Sequence, residues 1–222
     1  MKPSVADVRL TSYNKDVYEP SDDSFALVDA LQQHDWTSFS PDVCLEVGCG
    51  SGYVICSVAK MLSQHGLRAQ VLASDISSAA LEATQETLVA HGVADVELIQ
   101  GDLLKPLIPR FQHQVDLLIF NPPYVPTPDD ELTRTDIARA WAGGNRGRAI
   151  IDKFLPQVKE VLSPRGFMYM VTVTDNRPED ILQLLSNDDI EGKVILERAA
   201  DEEALRILCC WRRHERDAEG HH

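Results

Sequence analysis

The chain has 222 residues and 44% of them are apolar, which is enough for one large domain with a full hydrophobic core. Acidic residues outnumber basic residues 35 to 21, and the net charge of −14 disfavours strong binding to a nucleic-acid backbone, because that binding needs clustered lysine and arginine. The 5 cysteines are odd in number and include no Cys-x-x-Cys pair, so reduced thiols in a cytoplasmic, and also nuclear, protein are expected. No apolar run approaches the ~18 residues of a membrane span, and no signal peptide is expected.

The first 16 residues are predicted to form an irregular arm before a single domain of residues 17–213. The stretch Val17–Ser24 ends in proline, serine, two aspartates and serine, which is typical of a helix N-terminus. Residues 214–222 are predicted to be a tail, in which Gly220–His222 are interpreted as the remnant of a purification tag.

A strand predicted over residues 43–47 leads into a glycine loop and a helix over residues 53–64. The glycines of this loop are Gly48, Gly50 and Gly52. Glycine lets the backbone turn sharply and approach a ligand, and the helix N-terminus presents free N–H groups. Such a loop on its own is also compatible with a plain turn. Glu46 lies two residues before the first glycine. An acid at this position would repel a phosphate, so it is expected to face another part of a cofactor, and it therefore favours a cofactor site over a plain turn.

The next three strands, predicted over residues 70–74, 96–100 and 115–120, also lead into polar residues. These residues are Asp75, Asp102 and Asn121. Asp75 lies 23 residues after Gly52, close to the spacing at which an acid binds the hydroxyls of a ribose. Asp75 could instead cap the helix predicted over residues 77–90, and Asp102 could lie in a turn. Because parallel strands end at one edge of a sheet, the series with Glu46 predicts a cofactor site there.

The segment Asn121-Pro122-Pro123-Tyr124 is the most specific motif in the chain. Its two prolines remove two backbone donors, and each keeps the preceding residue extended. The carbonyls of Asn121 and Pro122 are therefore expected to point into the site and, with the Asn121 side chain, to hold a planar –NH2 group. Tyr124 is expected to stack on the flat face of that group. The alternative is a proline turn beside a core tyrosine.

A long connection over residues 125–150 follows and carries Trp141 and Gly143; connections of this length are usually functional or disordered. The remaining predictions are a helix over 152–162, a turn at 164–166, a strand over 167–173, a helix over 178–185, and strands over 193–198 and 204–211 that form a hairpin. This alternation of strands and helices predicts an α/β fold with a parallel, doubly wound sheet.

Together, the glycine loop, the acidic strand ends and Asn-Pro-Pro-Tyr resemble the class I S-adenosylmethionine-dependent methyltransferases. The finer resemblance is to HemK-type protein glutamine methyltransferases, in the short eukaryotic and archaeal branch that acts on class I translation release factors. The finer match rests on Tyr18-Glu19-Pro20 with Asp23-Ser24, on Asn121 to Val125, and on Ala140 to Gly144 with Gly147. The resemblance covers nearly the whole chain, from about Val17 to Trp211.

The resemblance implies a Rossmann-like, doubly wound sheet of seven strands, mostly parallel with an antiparallel last strand. It implies S-adenosyl-L-methionine as the cofactor, contacted by Ser24, Glu46, Gly48, Gly50, Asp75, Asp102, Leu103 and Asn121. It assigns catalysis to Asn121, Pro122, Pro123 and Tyr124, and substrate contacts to Tyr18, Glu19, Pro20, Trp141 and Gly143. It implies methyl transfer to the amide nitrogen (N5) of the glutamine in the release factor's Gly-Gly-Gln loop. No metal ligand and no general base are assigned.

The resemblance also implies a heterodimer with a small zinc-binding activator, docked on the free edge of the sheet at the third strand, Val96–Gln100. Three alternatives stay open. Adenine-N6 DNA methyltransferases and RNA-base amino methyltransferases share Asn-Pro-Pro-Tyr, although the acidic charge argues against them. A protein-lysine methyltransferase, acting for example on histones, would use a similar pocket. A non-catalytic cofactor-binding scaffold would not need the intact acids and motif.

Overall fold

The computed structural model describes residues 4–128, 141–200 and 203–213. These residues form one seven-stranded sheet. Its strands are β1 (Val43–Val47), β2 (Gln70–Asp75), β3 (Val96–Gln100), β4 (Val115–Phe120), β5 (Leu162–Val173), β6 (Ile190–Ala200) and β7 (Glu203–Arg212). Their order across the sheet is β3-β2-β1-β4-β5-β7-β6, and β7 alone runs antiparallel to the others. The predicted α/β sheet with an antiparallel last strand is therefore confirmed.

Helices connect these strands and cover both faces of the sheet. They are α1 (Asp22–Gln32), α2 (Tyr53–Gln64), α3 (Ser78–Ala90), α4 (Ile108–Phe111), α5 (Ile151–Val161) and α6 (Pro178–Ser186). All six residues of β4 are buried, as a strand covered on both faces requires. The side chain of Ser77 caps α3 by accepting a hydrogen bond from the Ala80 amide at 3.4 Å. The predicted helices are present, and α4 is a short helix that the pattern did not indicate.

The turn predicted at residues 164–166 is wrong, because Pro164, Arg165 and Gly166 lie inside β5. The pairing of β5 with β4 shifts between the pairs Val115–Leu162 and Leu117–Phe167, so the extra residues bulge out of the strand. A Cβ on Gly166 would lie 2.7 Å from the Val115 carbonyl oxygen, so the glycine allows a close backbone approach. Pro164 and Gly166, which are residue types typical of turns, thus shift the pairing register between β5 and β4 without ending β5.

The N-terminal segment from residue 4 to residue 16 packs along α2 and α3. Apart from one 3-10 turn over Val8–Leu10 it has no regular structure. The Ala6 amide donates to Ser57 Oγ at 3.1 Å, and the Ser12 amide donates to Thr87 Oγ1 at 2.9 Å. These contacts direct the chain towards the end of the sheet at which β1 and β4 lead into their loops.

Several predicted regions lie outside the described residues, namely the tail at 214–222, the central part of the long connection at 129–140, and the hairpin tip at 201–202. In the part of the chain that is described, no helix has the length and apolar character to cross a membrane. Within the same part, no cluster of three or more histidine, cysteine, aspartate or glutamate side chains could hold a metal ion. All 5 cysteines are buried free thiols.

Candidate active site

A cavity of about 370 Å³ lies at the carboxyl edge of the sheet, where β1, β2, β3 and β4 end. Its volume is within the range of small-molecule sites. The predicted site residues that line it are Tyr18, Ser24, Glu46, Gly48, Gly50, Asp75, Asp102, Leu103, Asn121, Pro122, Pro123, Tyr124 and Trp141. Glu19, Pro20 and Gly143 are not among its lining residues. The fold therefore brings nearly all the predicted residues to one place, as expected for parallel strands.

The glycine loop between β1 and α2 has a left-handed backbone at two positions that matter for the cavity. Gly52 has φ +80°, and a Cβ there would lie 2.8 Å from the Thr84 Cα, so only glycine lets the loop pack on α3. Gly50 has φ +51°, and a Cβ there would meet no atom within 4 Å. The backbone at Gly50 therefore borders open space, where a ligand can approach it closely.

Glu46 lies at the end of β1 and is 2% exposed. Burial raises the pKa of this carboxyl well above its usual range, and the nearby Asp75 adds to the effect. A hydrogen bond from the Ile55 amide, in the first turn of α2, acts in the opposite direction. Glu46 Oε2 is buried and has no hydrogen-bond partner among the described residues. A buried acceptor without a partner in a cavity wall is suited to a cationic donor on a ligand.

Asp75, at the end of β2, makes the contact at the start of α3 that the sequence left open, and it also lines the cavity. Its Oδ2 accepts a hydrogen bond from the Gly50 amide at 3.1 Å, and its Oδ1 accepts one from the Ser77 amide at 2.9 Å. The same carboxylate therefore fixes the glycine loop, supports the start of α3 and faces the cavity. Each of its oxygens can accept a second hydrogen bond, for example from a diol.

Asp102 and Leu103 follow β3 at the far end of the cavity. Asp102 is exposed to solvent, and Leu103 adopts a left-handed backbone with φ +55°. Such a conformation is strained for a residue with a branched side chain, and strained residues concentrate at ligand sites. It turns the chain sharply into the segment that carries Leu104 into the core.

Asp23 is the site residue that the sequence prediction did not include. It is 4% exposed, and its Oδ2 accepts hydrogen bonds from Asn121 Nδ2 at 3.2 Å and from the Tyr124 hydroxyl at 3.1 Å. Its Oδ1 accepts from the amide and the hydroxyl of Ser24 at 2.6 and 3.1 Å. Asp23 contributes to the family resemblance and to the helix-start signal, but neither assigns it a role in the site, and no local pattern distinguishes buried Asp23 from its exposed neighbour Asp22.

The contact with Asp23 fixes the orientation of the Asn121 side chain. A carboxylate can only accept hydrogen bonds, so it holds the Nδ2 end of the amide. Asn121 Oδ1 then points elsewhere, and this buried oxygen has no hydrogen-bond partner among the described residues. The site therefore offers an oriented acceptor that suits an N–H group entering the cavity.

Tyr18 lines the cavity from the segment before α1. Burial raises the pKa of its phenol, and the negative charge of Asp23 raises it further. Glu19 is exposed and Pro20 is half-buried, and both lie outside the cavity lining. Their predicted contact with substrate stays a prediction.

Gly143 packs behind the proline motif. A Cβ on Gly143 would lie 2.7 Å from the Pro123 carbonyl oxygen and 2.5 Å from the Gly147 Cα. The backbone of this segment pairs with the residue after the motif, since the Val125 amide donates to the Trp141 carbonyl at 3.1 Å and the Gly143 amide donates to the Val125 carbonyl at 2.8 Å. Gly143 therefore supports the motif from the back, and Trp141 reaches the cavity.

Comparison with known proteins gives one family model, described as the methyltransferase small domain, that matches residues 22–188. The chain is 42% identical to Methyltransferase HEMK2 of Homo sapiens over 193 residues, which cover 87% of this chain and 88% of that protein. It is 34% identical to the eRF1 methyltransferase catalytic subunit mtq2 of Schizosaccharomyces pombe over 226 residues, which cover 95% of each chain.

Among solved structures, the Mtq2–Trm112 complex of E. cuniculi, described as responsible for methylation of the eRF1 translation termination factor, aligns with a TM-score of 0.65 and 26% identity. The alignment covers 89% of this chain and 99% of that one.

Proposed function

This chain belongs to the methyltransferase small domain family, and from that membership we propose that it is the catalytic subunit of a protein glutamine methyltransferase of the HemK type. It transfers a methyl group from S-adenosyl-L-methionine to the side-chain amide nitrogen of a glutamine in a class I translation release factor. The observation that carries this proposal is the oriented, unpartnered Asn121 Oδ1 in the cavity wall. An amide –NH2 supplies the donor that this oxygen lacks.

The residues of the cavity fit the cofactor. Its ammonium group can donate to the unpartnered Glu46 Oε2, its ribose hydroxyls can donate to Asp75, and its adenine suits the turn at Asp102 and Leu103. When bound, S-adenosylmethionine supplies a methyl group on a positively charged sulfur. The cavity is lined by five acidic residues, Asp16, Asp23, Glu46, Asp75 and Asp102, which can balance the positive charges of such a ligand.

The chain's own contribution to the reaction is positioning and electrostatic support. The lone pair of an amide nitrogen is delocalised, so the nitrogen reacts only when it is held in line with its electrophile. Asn121 Oδ1 accepts one N–H of the substrate amide and thereby orients the lone pair. As the nitrogen forms its new bond its N–H groups become more acidic, and the fixed acceptor then binds them more strongly. Asp23 keeps both Asn121 and the Tyr124 ring in place during this step.

The chain is further proposed to work as a heterodimer with a small, zinc-binding activator. β3 is an edge strand of the sheet, with Glu97 and Gln100 exposed and Val96 and Leu98 half-buried. A groove beside it is lined by Leu81, Glu82, Gln85, Glu86 and Leu98. Edge strands are commonly covered by strand addition, which suits an activator docked along Val96–Gln100. Since release factors act in the cytoplasm, we place the complex there.

The test is methyl transfer from labelled S-adenosylmethionine to three acceptors: a release factor with its Gly-Gly-Gln loop, histones, and double-stranded DNA, each with and without the activator. We expect label on the release factor, and we expect that label to disappear when the loop glutamine is replaced by leucine. The proposed acceptor is wrong if label stays on the release factor after its loop glutamine has been replaced, or if only DNA is labelled. Label only on histones would redirect the assignment to lysine.

A further inference from the structure

Asn176 is a fully buried polar residue at the end of the short turn that follows β5, and it lines no part of the cavity. Its neighbours in space come from two distant segments of the chain. One is the Asn-Pro-Pro-Tyr motif after β4, and the other is the 3-10 turn over Asn145–Gly147. Nothing in the family resemblance assigns a role to it.

The side chain of Asn176 uses both of its N–H donors and its oxygen in hydrogen bonds to backbone groups. Its Nδ2 donates to the Tyr124 carbonyl at 2.8 Å and to the Arg146 carbonyl at 2.8 Å. Its Oδ1 accepts from the Val173 amide at 2.8 Å. One amide thus joins the end of β5 to the residue that closes the proline motif and to the turn behind it.

The packing around these contacts leaves little freedom for the two joined segments. Gly147 has φ +68°, and a Cβ there would lie only 1.7 Å from the Tyr124 carbonyl oxygen. Without Asn176, the Tyr124 and Arg146 carbonyls would each lose the hydrogen bond that its amide donates, and the backbone that these bonds hold would be free to move. The phenol of Tyr124 donates a hydrogen bond to Asp23. A movement of the Tyr124 backbone would therefore displace the Tyr124 side chain within the catalytic motif.

Only an amide of this length provides these three contacts. An aspartate would keep the acceptor for the Val173 amide, but its carboxylate would place an oxygen against two carbonyl oxygens. An alanine would remove all three contacts. The two substitutions therefore separate the support of β5 from the support of the motif.

We propose that Asn176 is a positioning residue for methyl transfer, because it holds the backbone of the Asn-Pro-Pro-Tyr motif at the geometry that aligns the substrate amide. The inference rests on the proposed function, in that the motif is taken to hold the methyl acceptor. Asn176 does not line the cavity, and the cavity residue that it contacts is Tyr124 of the motif, so it acts on the alignment of the acceptor and leaves the binding of S-adenosylmethionine unchanged.

The experiment compares Asn176→Asp and Asn176→Ala with the unmodified enzyme in the presence of the activator. We expect kcat to fall by about 10²-fold in both, the loss expected when reacting groups are misplaced by about 1 Å. The dissociation constant of S-adenosylmethionine should stay within about twofold, because the hydrogen bonds of Asn176 go to Val173, Tyr124 and Arg146 and none goes to Glu46, Asp75 or Asp102. Amide hydrogen exchange at Val125 and Gly143 should accelerate, since their hydrogen bonds join the motif to the turn behind it.

The control is Ser163→Ala, which removes a buried 2.6 Å hydrogen bond to Asp116 at the opposite end of the sheet. It should lower the melting temperature and leave kcat unchanged. If Asn176→Asp restores the kcat that Asn176→Ala loses, only the contact with Val173 matters and the proposal is wrong. The proposal is equally wrong if both variants fold and keep kcat within about twofold, or if kcat falls only with cofactor affinity.

Two readouts keep the inference separate from the proposed function and from failure to fold. In the unmodified protein, the Asn176 side-chain amide protons should be protected from exchange with solvent, and free exchange would exclude the proposed contacts. If the unmodified enzyme labels histones or DNA and leaves the release factor unlabelled, the proposed function is wrong. The role of Asn176 is still tested in that case, by comparing kcat of the variants with kcat of the unmodified enzyme on the acceptor that is labelled.

Discussion

Asp23, on the first turn of α1, joins two residues that lie about a hundred positions further along the chain. It contacts Asn121 and Tyr124 through one carboxylate oxygen, although 98 residues separate it from Asn121. Acceptors that are fixed before the substrate binds need no reorganisation during the reaction. At the scale of single residues, Asp23 and Asp75 each orient a different part of the cavity wall.

Replacing Asp23 by alanine should free the Asn121 amide to rotate and present Nδ2 to the substrate. We expect Asp23→Ala to lower kcat by about 10²-fold, because the acceptor is then misoriented. The measurement is steady-state methyl transfer to the release factor, with circular dichroism to verify folding. The matched control is Asp22→Ala, one residue earlier and exposed. Equal kcat values in the two variants would contradict the role of Asp23.

Glu46 should make cofactor binding depend on pH. Burial raises the pKa of the free carboxyl, whereas an ammonium group on a ligand binds the ionised form. Affinity for S-adenosylmethionine should therefore be weak below the raised pKa and tighten as the pH rises through it. Isothermal titration between about pH 5 and about pH 9 measures this, since buried glutamates reach pKa values in that range. Glu46→Gln should bind more weakly and lose the pH dependence, and an unchanged pH profile would refute the assignment.

At the scale of elements, three connections meet at the proline motif. They are the motif itself, which follows β4, the segment before α5, and the turn after β5. The Ala149 amide donates to the Gly143 carbonyl at 2.9 Å, and the Thr127 amide donates to the Gly144 carbonyl at 3.0 Å. Arg148 Nη1 donates to the Asn176 carbonyl at 2.9 Å. The motif and the residues after it are thus held by backbone hydrogen bonds from the segment before α5 and by the Asn176 side chain from the turn after β5. The close backbone approach explains the glycines at 143 and 147.

Gly147 tests this arrangement, with Gly66 as a matched control. Both have φ +68°, but a Cβ on Gly66 would meet nothing within 4 Å, whereas one on Gly147 would overlap the Tyr124 carbonyl. Alanine at either position should cost about 1 kcal/mol for its left-handed backbone. At Gly147 overpacking should add about 3 kcal/mol and displace the motif. Chemical denaturation and methyl transfer measure the two effects. A Gly147→Ala enzyme as stable and active as Gly66→Ala would contradict the close packing.

At the scale of the whole molecule, the sheet has two edges with different surroundings. β6 forms one edge and pairs with β7 along almost its entire length. β3 forms the other edge with 5 residues, next to the groove that contains Leu81 and Leu98. This short edge, beside a groove lined by two leucines and by polar residues of α3, is the face on which we propose that the activator docks.

Leu98→Glu should weaken binding of the activator, because it introduces a charge into the apolar part of this groove. We expect loss of co-purification with the activator, and release-factor methylation that falls with it. Leu184→Glu is the control, since Leu184 is 47% exposed on α6, which contacts β6 at the opposite edge. If both variants co-purify equally with the activator, or if the isolated chain is monomeric and fully active, the proposed docking edge is wrong.

The order of the seven strands and the main helices was predictable from the sequence, because hydrophobic periodicity and the glycine loop are local features; the short α4 and the continuation of β5 through residues 164–166 were not. It also located Glu46, Asp75, Asp102 and Asn121 correctly, since the ends of neighbouring parallel strands must lie at one edge of the sheet. The resemblance then supplied the antiparallel last strand. These features need no knowledge of how distant segments pack.

The other polar and small residues around the site could be assigned only from their contacts in the folded chain. Asp23 differs from exposed Asp22 through its contacts with Asn121 and Tyr124, and Gly143 supports the motif from behind instead of lining the cavity. Asn176 acquires its partners from loops that are 30 and 52 residues away. Local propensity carries no information about such contacts, because they depend on the packing of whole elements that brings the three loops together.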